Sequence, residues 1–333
     1  MSADVTVFEA GDLALTSGQT LPGARLVYKA YGTLNAARDN VIVAPTHYAG
    51  QHTDTAWLVG EDKALDPRHW FILIPNMLGN GLSSSPSNTP APFDGPRFPK
   101  VTLADNVRLQ HRLLTQGLGV TRVQLVVGFS MGAQQAYHWA ALYPELVARI
   151  APICGSARTA RHNFVFLEGL KAALTADSAF AAGDYSAPPT TGIRAFARVY
   201  AGWMFSQAFY RERIDQTRMG APDLQTFLAF LEGHFLARDA NDLLTMLDSW
   251  QTADIAAGGD LTAALAAIRA RALVMPCETD LYFPVADSAA EVASLPDAQL
   301  RPIPSIWGHM AASGLNPVDA AFIDARLKDL LAR

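Results

Sequence analysis

The feature that most constrains the fold of this chain is the stretch Val123–Ala140, VQLVVGFSMGAQQAYHWA, in which an apolar run ends in Gly-Phe-Ser-Met-Gly. The apolar run predicts a strand and the residues after it predict a helix, so the chain must reverse around Ser130 within very few residues. Such a turn strains the serine backbone, and Gly128 and Gly132 leave room for the neighbouring strand and helix. The turn exposes the hydroxyl beside the free N–H groups of the new helix. Ser130 is therefore predicted to be a nucleophile, with a merely structural turn as the alternative.

Short apolar runs rich in β-branched residues recur along the chain between turn residues. They lie at Val41–Pro45, Trp70–Pro75, Val123–Gly128, Arg149–Cys154, Ala272–Cys277 and Gln299–Pro304. Such runs are typical of strands buried on both faces, as in a parallel sheet covered by helices. Helix-like stretches at Leu103–Leu114 and Gln134–Leu142 alternate with them, which predicts an α/β fold with a mostly parallel sheet. Residues 1–34 alternate and contain Gly and Pro, so we expect antiparallel strands at one edge.

One block of the chain interrupts the alternation of strands and helices. Residues 158–267 contain no good strand candidate, and their helical runs lie at Ile193–Phe205, Leu224–Ala237 and Ala240–Trp250. We therefore predict a core made of residues 1–157 and 268–333, with residues 158–267 inserted as a helical cap.

Composition limits the partners of this protein. Its 333 residues are 50% hydrophobic and 17% charged, which suits one large α/β domain with an insertion. A net charge of −5 argues against binding to nucleic acid or to an anionic membrane surface. No apolar run approaches the roughly 18 residues of a membrane span, and the start lacks the pattern of a secretory signal. We expect a cytoplasmic protein whose Cys154 and Cys277 are buried free thiols.

A serine hydroxyl is a weak nucleophile near neutral pH, so it needs a base, and the base needs an orienting acid. After a strand-to-helix elbow of this kind, the acid and then the histidine follow on loops behind later strands. Asp280 follows the run Ala272–Cys277, and His309 follows the next run. His309 is also the only one of the eight histidines that lies after the acid. Glu278, two residues before Asp280, is the alternative acid.

Acyl transfer also needs two backbone N–H donors for the oxyanion. One is predicted at Met131, directly after the nucleophile, and the other in residues 46–50, THYAG, after the first buried run. His47 and His52, with Asp54, could be interpreted as a metal site, but no further ligand cluster with suitable spacing accompanies them. We therefore predict no metal and no permanently bound cofactor.

Several segments together resemble one family, the homoserine O-acetyltransferases of the α/β-hydrolase superfamily. They are PTHYAGQHTD, WFILIPNMLGNGLSSSPSN and residues 98–147, which contain the elbow. The resemblance implies an α/β-hydrolase fold with Ser130 as nucleophile, Asp280 as acid and His309 as base. It also implies Tyr48 and Met131 as the oxyanion N–H donors, acetyl-CoA as a candidate acyl donor, and a homodimer formed through the cap helices.

The residues that bind substrate depart from this family. The family holds homoserine with an arginine and a tyrosine seven residues apart on a cap helix, and with an aspartate directly after the catalytic histidine. Here Arg198 matches the arginine, but Phe205 replaces the tyrosine and Met310 replaces the aspartate. A methionine cannot neutralise an ammonium group, and a buried unpaired charge costs several kcal/mol. The elbow also carries Phe129 and Ala133 where the family usually has glycines.

We predict serine-dependent acyl transfer through an acyl-enzyme, with hydrolysis of a small acyl ester as the leading hypothesis, because two acceptor contacts are lost. The alternative is an acyl-CoA-dependent O-acyltransferase that acts on an alcohol other than homoserine, and it would use the same catalytic residues. A third hypothesis is a non-catalytic binding protein on the same scaffold, against which the complete triad argues. The natural substrate, and a contact between Arg198 and a substrate carboxylate, stay open.

Overall fold

A computed structural model of the protein describes residues 5–332, and its centre is one sheet of eight strands. The strands are β1 (Thr6–Ala14), β2 (Thr20–Tyr31), β3 (Val41–Val43), β4 (Phe71–Pro75), β5 (Val123–Phe129), β6 (Arg149–Ile153), β7 (Arg271–Val274) and β8 (Ala298–Leu300). Their order across the sheet is β1-β2-β4-β3-β5-β6-β7-β8. β2 runs antiparallel to both β1 and β4, whereas the pairs from β4 to β8 are parallel. The predicted α/β fold with an antiparallel edge is confirmed.

The helices of residues 5–332 lie between these strands, except for the last helix, which follows β8. They are α1 (His52–Thr55), α2 (Leu103–Arg112), α3 (Met131–Leu142), α4 (Arg161–Thr175), α5 (Thr190–Met204), α6 (Gln207–Arg211), α7 (Ile214–Thr217), α8 (Leu224–Leu236), α9 (Ala240–Gln251), α10 (Leu261–Ala266), α11 (Val285–Val292) and α12 (Pro317–Leu331). The helix predicted to end at Leu114 changes at Leu113 into a π-helical turn that reaches Gly117. Within the described range, no helix has the length and apolar character that crossing a membrane requires.

The block between β6 and β7 holds the helices α4 to α10 and contributes no strand to the sheet. In this block α4 packs against α5, and α5 packs against α8. One face of α5 is apolar, because its buried apolar side chains follow the period of the helix, at Ile193, Phe196, Ala197, Tyr200, Ala201 and Met204. The division of the chain into a core and a cap at residues 158 and 267 stays a prediction.

Both faces of the sheet are buried, which explains the near-continuous apolar runs of the sequence. In β3, Val41 and Val43 belong to one hydrophobic cluster and Ile42 belongs to the other. In β5, Leu125 joins the cluster of Ile42, and Val126 joins the opposite one. The cluster of Ile42 also contains apolar residues of α4, α5, α8 and α9, so it extends from the sheet into the helical block.

Candidate active site

Ser130 lies at the sharp bend between β5 and α3. Its backbone angles, φ 58° and ψ −123°, are strained for a residue with a side chain. A Cβ at Gly128 would lie 2.2 Å from the carbonyl group of Gly132, and a Cβ at Gly132 would lie 2.5 Å from the Pro45 oxygen. The Ser130 N–H donates a hydrogen bond of 3.0 Å to the Ile153 carbonyl. Both glycines are therefore required by the close approach of strand, helix and loop at this bend.

The three side chains predicted to act together, which lie far apart in the sequence, meet at this bend. His309 Nε2 lies 2.9 Å from the Ser130 hydroxyl, and His309 Nδ1 lies 2.8 Å from Asp280 Oδ2. Only 3% of His309 and 6% of Asp280 is exposed, so water competes little for these bonds. A carboxylate only accepts hydrogen bonds, so Nδ1 carries the proton and Nε2 is free to accept from the serine. The geometry is that of a serine–histidine–aspartate triad.

Asp280 is held in the loop after β7 by more than the imidazole. Its Oδ1 accepts hydrogen bonds from the N–H groups of Tyr282 at 2.8 Å and Phe283 at 3.3 Å. Glu278 is exposed, although its backbone N–H donates to the Ile303 carbonyl at 3.1 Å. The structure thus brings Asp280, and not the alternative carboxylate Glu278, to the histidine.

Aromatic rings enclose the imidazole of His309. The ring centroids of Tyr282, Phe129 and Phe283 lie 4.4, 4.7 and 5.6 Å from that of His309. Phe129 is the residue that replaces a glycine of the resembled family, and its ring also lies 5.0 Å from His47. These rings cover the imidazole and leave its Nε2 edge facing the Ser130 hydroxyl.

The two residues predicted to donate N–H groups to the oxyanion are Met131, at the elbow, and Tyr48, on the loop after β3. Met131 is the first residue of α3, so its N–H has no partner inside the helix. Within residues 5–332, neither the Met131 nor the Tyr48 N–H donates a hydrogen bond. The loop that carries Tyr48 is positioned by its side chain, whose hydroxyl donates to the Leu243 carbonyl at 3.2 Å and whose ring stacks 5.7 Å from Tyr200. Their roles as oxyanion donors stay a prediction.

A cavity of about 470 Å³ lies above Ser130 and His309. Its walls are mainly aromatic and aliphatic, and several of these side chains belong to α5 and α8, among them Tyr200, Met204, Leu231 and Phe235. Its rim carries Phe230 and Leu315, which are 65% and 51% exposed. Among the described residues that line the cavity there is no lysine or arginine. The volume and the apolar lining suit a small organic ligand.

Two of the three positions predicted to bind substrate face this cavity. Phe205 is 1% exposed and stacks 4.2 Å from Phe209, and Met310 directly follows His309. Both side chains line the cavity, so the departures from the resembled family alter its walls. Their contact with a substrate stays a prediction.

Arg198 is not among the residues that line the cavity. It lies on the side of α5 opposite Tyr200 and Met204, because two positions along a helix turn the side chain through more than half a circle. Its Nε donates to Glu232 at 2.6 Å, and Arg194 Nη1 donates to the same carboxylate at 2.5 Å. These two arginines hold the pKa of Glu232 below its usual value. The side chain is half exposed and ion-paired, so this structure does not support its predicted contact with substrate.

The sequence interpretation did not include His47, His234 and Asp54 among the site residues, although all three line the cavity. Burial lowers the pKa of His47 to about 4, while Asp54 opposes this shift, so the imidazole is neutral near pH 7. His234 follows Leu231 by three positions on α8, a spacing that could have predicted a shared face.

The geometry does not support a metal site formed by His47, His52 and Asp54. His52 is buried away from the cavity, with Nδ1 3.3 Å from the Asn76 amide, whereas His47 and Asp54 face the cavity. No group of three or more His, Cys, Asp or Glu side chains between residues 5 and 332 is arranged to hold a metal ion. Cys154 and Cys277 are buried free thiols, as predicted, and burial raises the pKa of Cys277 to about 11.

Comparison with known proteins places this geometry in a family. Residues 53–312 match the model of the alpha/beta hydrolase fold. The chain is 40% identical to an ethyl acetate hydrolase of Pseudomonas veronii, over 97% of this chain and 94% of the relative. It is 34% identical to a homoserine O-acetyltransferase of Trichormus variabilis, over 89% and 86%. The crystal structure of an acetylester hydrolase from Corynebacterium glutamicum superposes with a TM-score of 0.96, at 38% identity, over 99% and 96% of the chains.

These similarities extend over nearly the whole chain, including the elbow, the cavity and the helical block. They confirm the predicted resemblance to homoserine O-acetyltransferases and add acetyl-ester hydrolases at higher identity. The chain therefore belongs to the alpha/beta hydrolase fold family, among relatives that include both kinds of enzyme.

Proposed function

We propose that this protein hydrolyses small uncharged acyl esters, with Ser130 as nucleophile, His309 as base and Asp280 as the acid that orients it. One observation carries the proposal: the chain of hydrogen bonds of 2.9 and 2.8 Å from Ser130 through His309 to Asp280 lies at the foot of an apolar cavity. The similarity to an ethyl acetate hydrolase and an acetylester hydrolase supports the same reaction.

In the first half-reaction the Ser130 oxygen attacks the ester carbonyl while His309 Nε2 takes the hydroxyl proton. The carbonyl π electrons move to its oxygen, and the N–H groups of Met131 and Tyr48 stabilise the negative charge. Asp280 stabilises the imidazolium through Nδ1 without taking its proton. When the carbonyl re-forms, the bond to the alcohol breaks, the alcohol takes the proton from Nε2, and an acyl group stays on Ser130.

In the second half-reaction water replaces the alcohol. His309 Nε2 takes a proton from the water as its oxygen attacks the acyl carbonyl, and the same two N–H groups stabilise the second oxyanion. Collapse breaks the bond to Ser130, which regains its proton from the imidazolium. The carboxylic acid leaves and the free enzyme is restored.

The cavity lining supports an uncharged substrate. Met310 follows the base where the resembled family has an aspartate, and Arg198 pairs with Glu232 outside the cavity. A substrate carboxylate would therefore lose its hydration without gaining an ion pair, at a cost of several kcal/mol, because no lysine or arginine lines the cavity. Side chains of α5 and α8 line the cavity, so in this proposal residues 158–267 act as a cap that closes over the ester.

A matched pair of esters tests this proposal. Propyl acetate and 3-acetoxypropanoate have nearly the same length, but only the second carries a carboxylate near the scissile ester. We expect hydrolysis of both, with kcat/KM lower for the anion by about 10- to 100-fold, because no cation in the cavity repays its desolvation. Acetate release measured by a coupled assay provides the rates. Equal rates would contradict the uncharged substrate, and no hydrolysis of either ester would contradict the esterase.

The second candidate is acyl transfer from acetyl-CoA to an alcohol, and it is supported by 34% identity to a homoserine O-acetyltransferase. It uses the same triad, with an alcohol in place of water. We expect only slow CoA release from acetyl-CoA, unchanged by a panel of small alcohols. Release that depends strictly on an alcohol would favour transfer over hydrolysis. The homodimer through the cap helices belongs to the same resemblance, and the mass of the protein in solution tests it.

A further inference from the structure

The hydroxyl of Thr279 joins the two loops that carry the acid and the base. It donates a hydrogen bond of 2.8 Å to the Ser305 carbonyl and accepts one of 3.1 Å from the Gly308 N–H. Thr279 directly precedes Asp280, and Gly308 directly precedes His309. One side chain therefore connects the residues adjacent to both members of the acid–base pair.

We propose that Thr279 is a positioning residue that fixes Asp280 relative to His309. The loops after β7 and β8 are joined by backbone bonds only before this point, from Ile303 N–H to the Pro276 carbonyl at 2.8 Å and from Glu278 N–H to the Ile303 carbonyl at 3.1 Å. Beyond them, the Cys277 thiol, a weak donor, lies 3.4 Å from the Ser305 carbonyl. The Thr279 hydroxyl makes the stronger connection between the two loops before the bond of 2.8 Å between Asp280 and His309.

The loop that carries the base is itself fixed from the other side. The Ser305 hydroxyl donates to the buried carboxylate of Asp319 at 2.7 Å and accepts from the Trp307 N–H at 3.2 Å. The Ser206 hydroxyl donates to the Ile306 carbonyl. These bonds make the loop after β8 a rigid reference, and Thr279 attaches the loop after β7 to it.

Gly308 shows how closely this loop is packed. Its φ of +63° favours glycine, and a Cβ there would lie only 2.7 Å from the Ser206 nitrogen. The loop therefore has little free space beside Gly308 into which it could shift to replace a lost bond to Thr279. Removal of the hydroxyl leaves the Gly308 N–H and one bond of the Ser305 carbonyl without a partner.

The expected effect falls on the chemical step and not on substrate binding. Thr279 does not line the cavity, so its loss removes no contact with the ester. A displaced acid orients the imidazole less well when Ser130 attacks, and small misplacements of catalytic groups cost up to about 100-fold in rate. The inference rests on the proposed function, since it concerns the base of that reaction.

Three variants test the inference. Thr279→Val removes the hydroxyl and keeps the shape, Thr279→Ala avoids a clash with the loop, and Thr279→Ser restores the hydroxyl. The matched control is Thr159→Val, because the Thr159 hydroxyl likewise donates to a carbonyl, that of Trp250, and accepts from the Gln134 amide at 3.0 Å. Steady-state kinetics with p-nitrophenyl acetate and thermal unfolding are measured for each variant.

We expect Thr279→Val and Thr279→Ala to lose about 10- to 100-fold in kcat with KM changed by less than about two-fold. Thr279→Ser keeps most of the rate, and Thr159→Val keeps kcat even if its melting temperature falls. The downfield ¹H resonance of the His309–Asp280 hydrogen bond, recorded without any ester, shifts or broadens in Thr279→Val only. If Thr279→Val and Thr159→Val have the same kcat, or the resonance is unchanged, the inference is overturned. An inactive wild-type enzyme would instead overturn the proposed function.

Discussion

The foot of the cavity and its upper wall are stabilised by different forces. At the foot, Ser130, His309 and Asp280 are joined by hydrogen bonds, and Asp280 accepts two more from backbone N–H groups. The upper wall consists of the apolar side chains that line the cavity apart from the triad, Phe205 and Met310 among them. It is held by packing, such as the stacked rings of Phe205 and Phe209. Hydrogen bonds specify direction and distance, whereas packing specifies mainly volume. From this comparison we propose that the foot determines the reaction and that the wall determines which ester enters.

Removal of the nucleophile should separate the two regions most clearly. We expect Ser130→Ala to lower kcat with p-nitrophenyl acetate by about 10⁴- to 10⁶-fold, because the other groups alone support only slow hydrolysis. Ser249→Ala is the matched control, since the Ser249 hydroxyl is also buried but donates to the Val101 carbonyl in the packed interior. Equal activity of Ser130→Ala and Ser249→Ala would remove the assignment of the nucleophile.

The two candidate acids provide the next largest contrast. We expect Asp280→Asn to reduce kcat by about 10⁴-fold, because an amide can hold the imidazole in the wrong tautomer and cannot stabilise the imidazolium. Glu278→Gln, two residues away and exposed, should change kcat by less than about two-fold. Steady-state rates of both variants at one pH decide between them. A larger loss in Glu278→Gln would reverse the assignment of the acid.

Asp242, on α9, is a buried carboxylate outside the triad, and its donors are the N–H and hydroxyl of Ser87. Burial raises its pKa to about 7, although the bonds from Ser87 oppose this shift. Between about pH 4 and pH 7, the folded protein therefore keeps a proton on Asp242 that the unfolded chain has released. Stability from this group is present at low pH and is lost as the pH rises through about 7.

We expect Asp242→Asn to raise the free energy of unfolding at pH 8 by about 1–3 kcal/mol relative to the wild type, and to change it little at pH 4. Urea unfolding at several pH values measures this slope. Burial also raises the pKa of Glu291 to about 7. The variant therefore keeps part of the dependence of the unfolding free energy on pH. Asp248→Asn on the same helix is the control. If Asp242→Asn left the pH dependence of the unfolding free energy unchanged, ionisation of Asp242 would not destabilise the folded protein.

A charge placed on the upper wall should damage selection of the ester more than the chemistry. We expect Met310→Asp to lower kcat/KM for p-nitrophenyl butyrate by about ten-fold, mainly through KM, because an added carboxylate keeps water in the cavity. Met310→Leu preserves volume and apolar character, so it should stay within about two-fold of the wild type. A fall in kcat alone would mean that this position acts on the base and not on binding.

The smallest effect is expected at Arg198, which the resemblance assigns to the substrate and the structure leaves at the surface. Arg198→Ala should leave KM for propyl acetate unchanged and lower the free energy of unfolding by about 1 kcal/mol, because Glu232 keeps its bond to Arg194. Kinetics and urea unfolding of the variant measure both quantities. An increase in KM of about ten-fold or more would return Arg198 to the binding site.

Residues close together in the sequence were the most predictable part of the site. Gly128, Ser130 and Gly132 define the elbow locally, because a strand-to-helix reversal has few backbone solutions, and the observed φ of 58° at Ser130 agrees. The order of Asp280 and His309 after successive strands also followed from the pattern of buried runs. The π-helical turn after α2 was not predictable, because apolar spacing does not distinguish it from a regular helix.

The choice between Asp280 and Glu278 depended on the tertiary structure. Both carboxylates precede the same turn, and only the bonds of Asp280 to Tyr282 and Phe283 N–H groups turn its side chain toward the imidazole. The sequence placed His47 in the segment predicted for the oxyanion, but the side chains that it meets in the cavity, such as Phe129 and His234, come from distant parts of the chain.

The sequence by itself determined the sheet, the elbow and the position of Ser130 at its bend, because these depend on the periodicity of apolar residues and on glycines within a few positions of one another. Only the tertiary structure decided that Arg198 faces outward, that Phe205 and Met310 line the cavity, and that Thr279 joins the two catalytic loops. The physical reason is that each of these depends on how a helix is rotated, or a loop is placed, against partners that lie tens to hundreds of residues away in the chain. Such contacts are settled by packing and by the pairing of buried polar groups, which local sequence patterns do not encode.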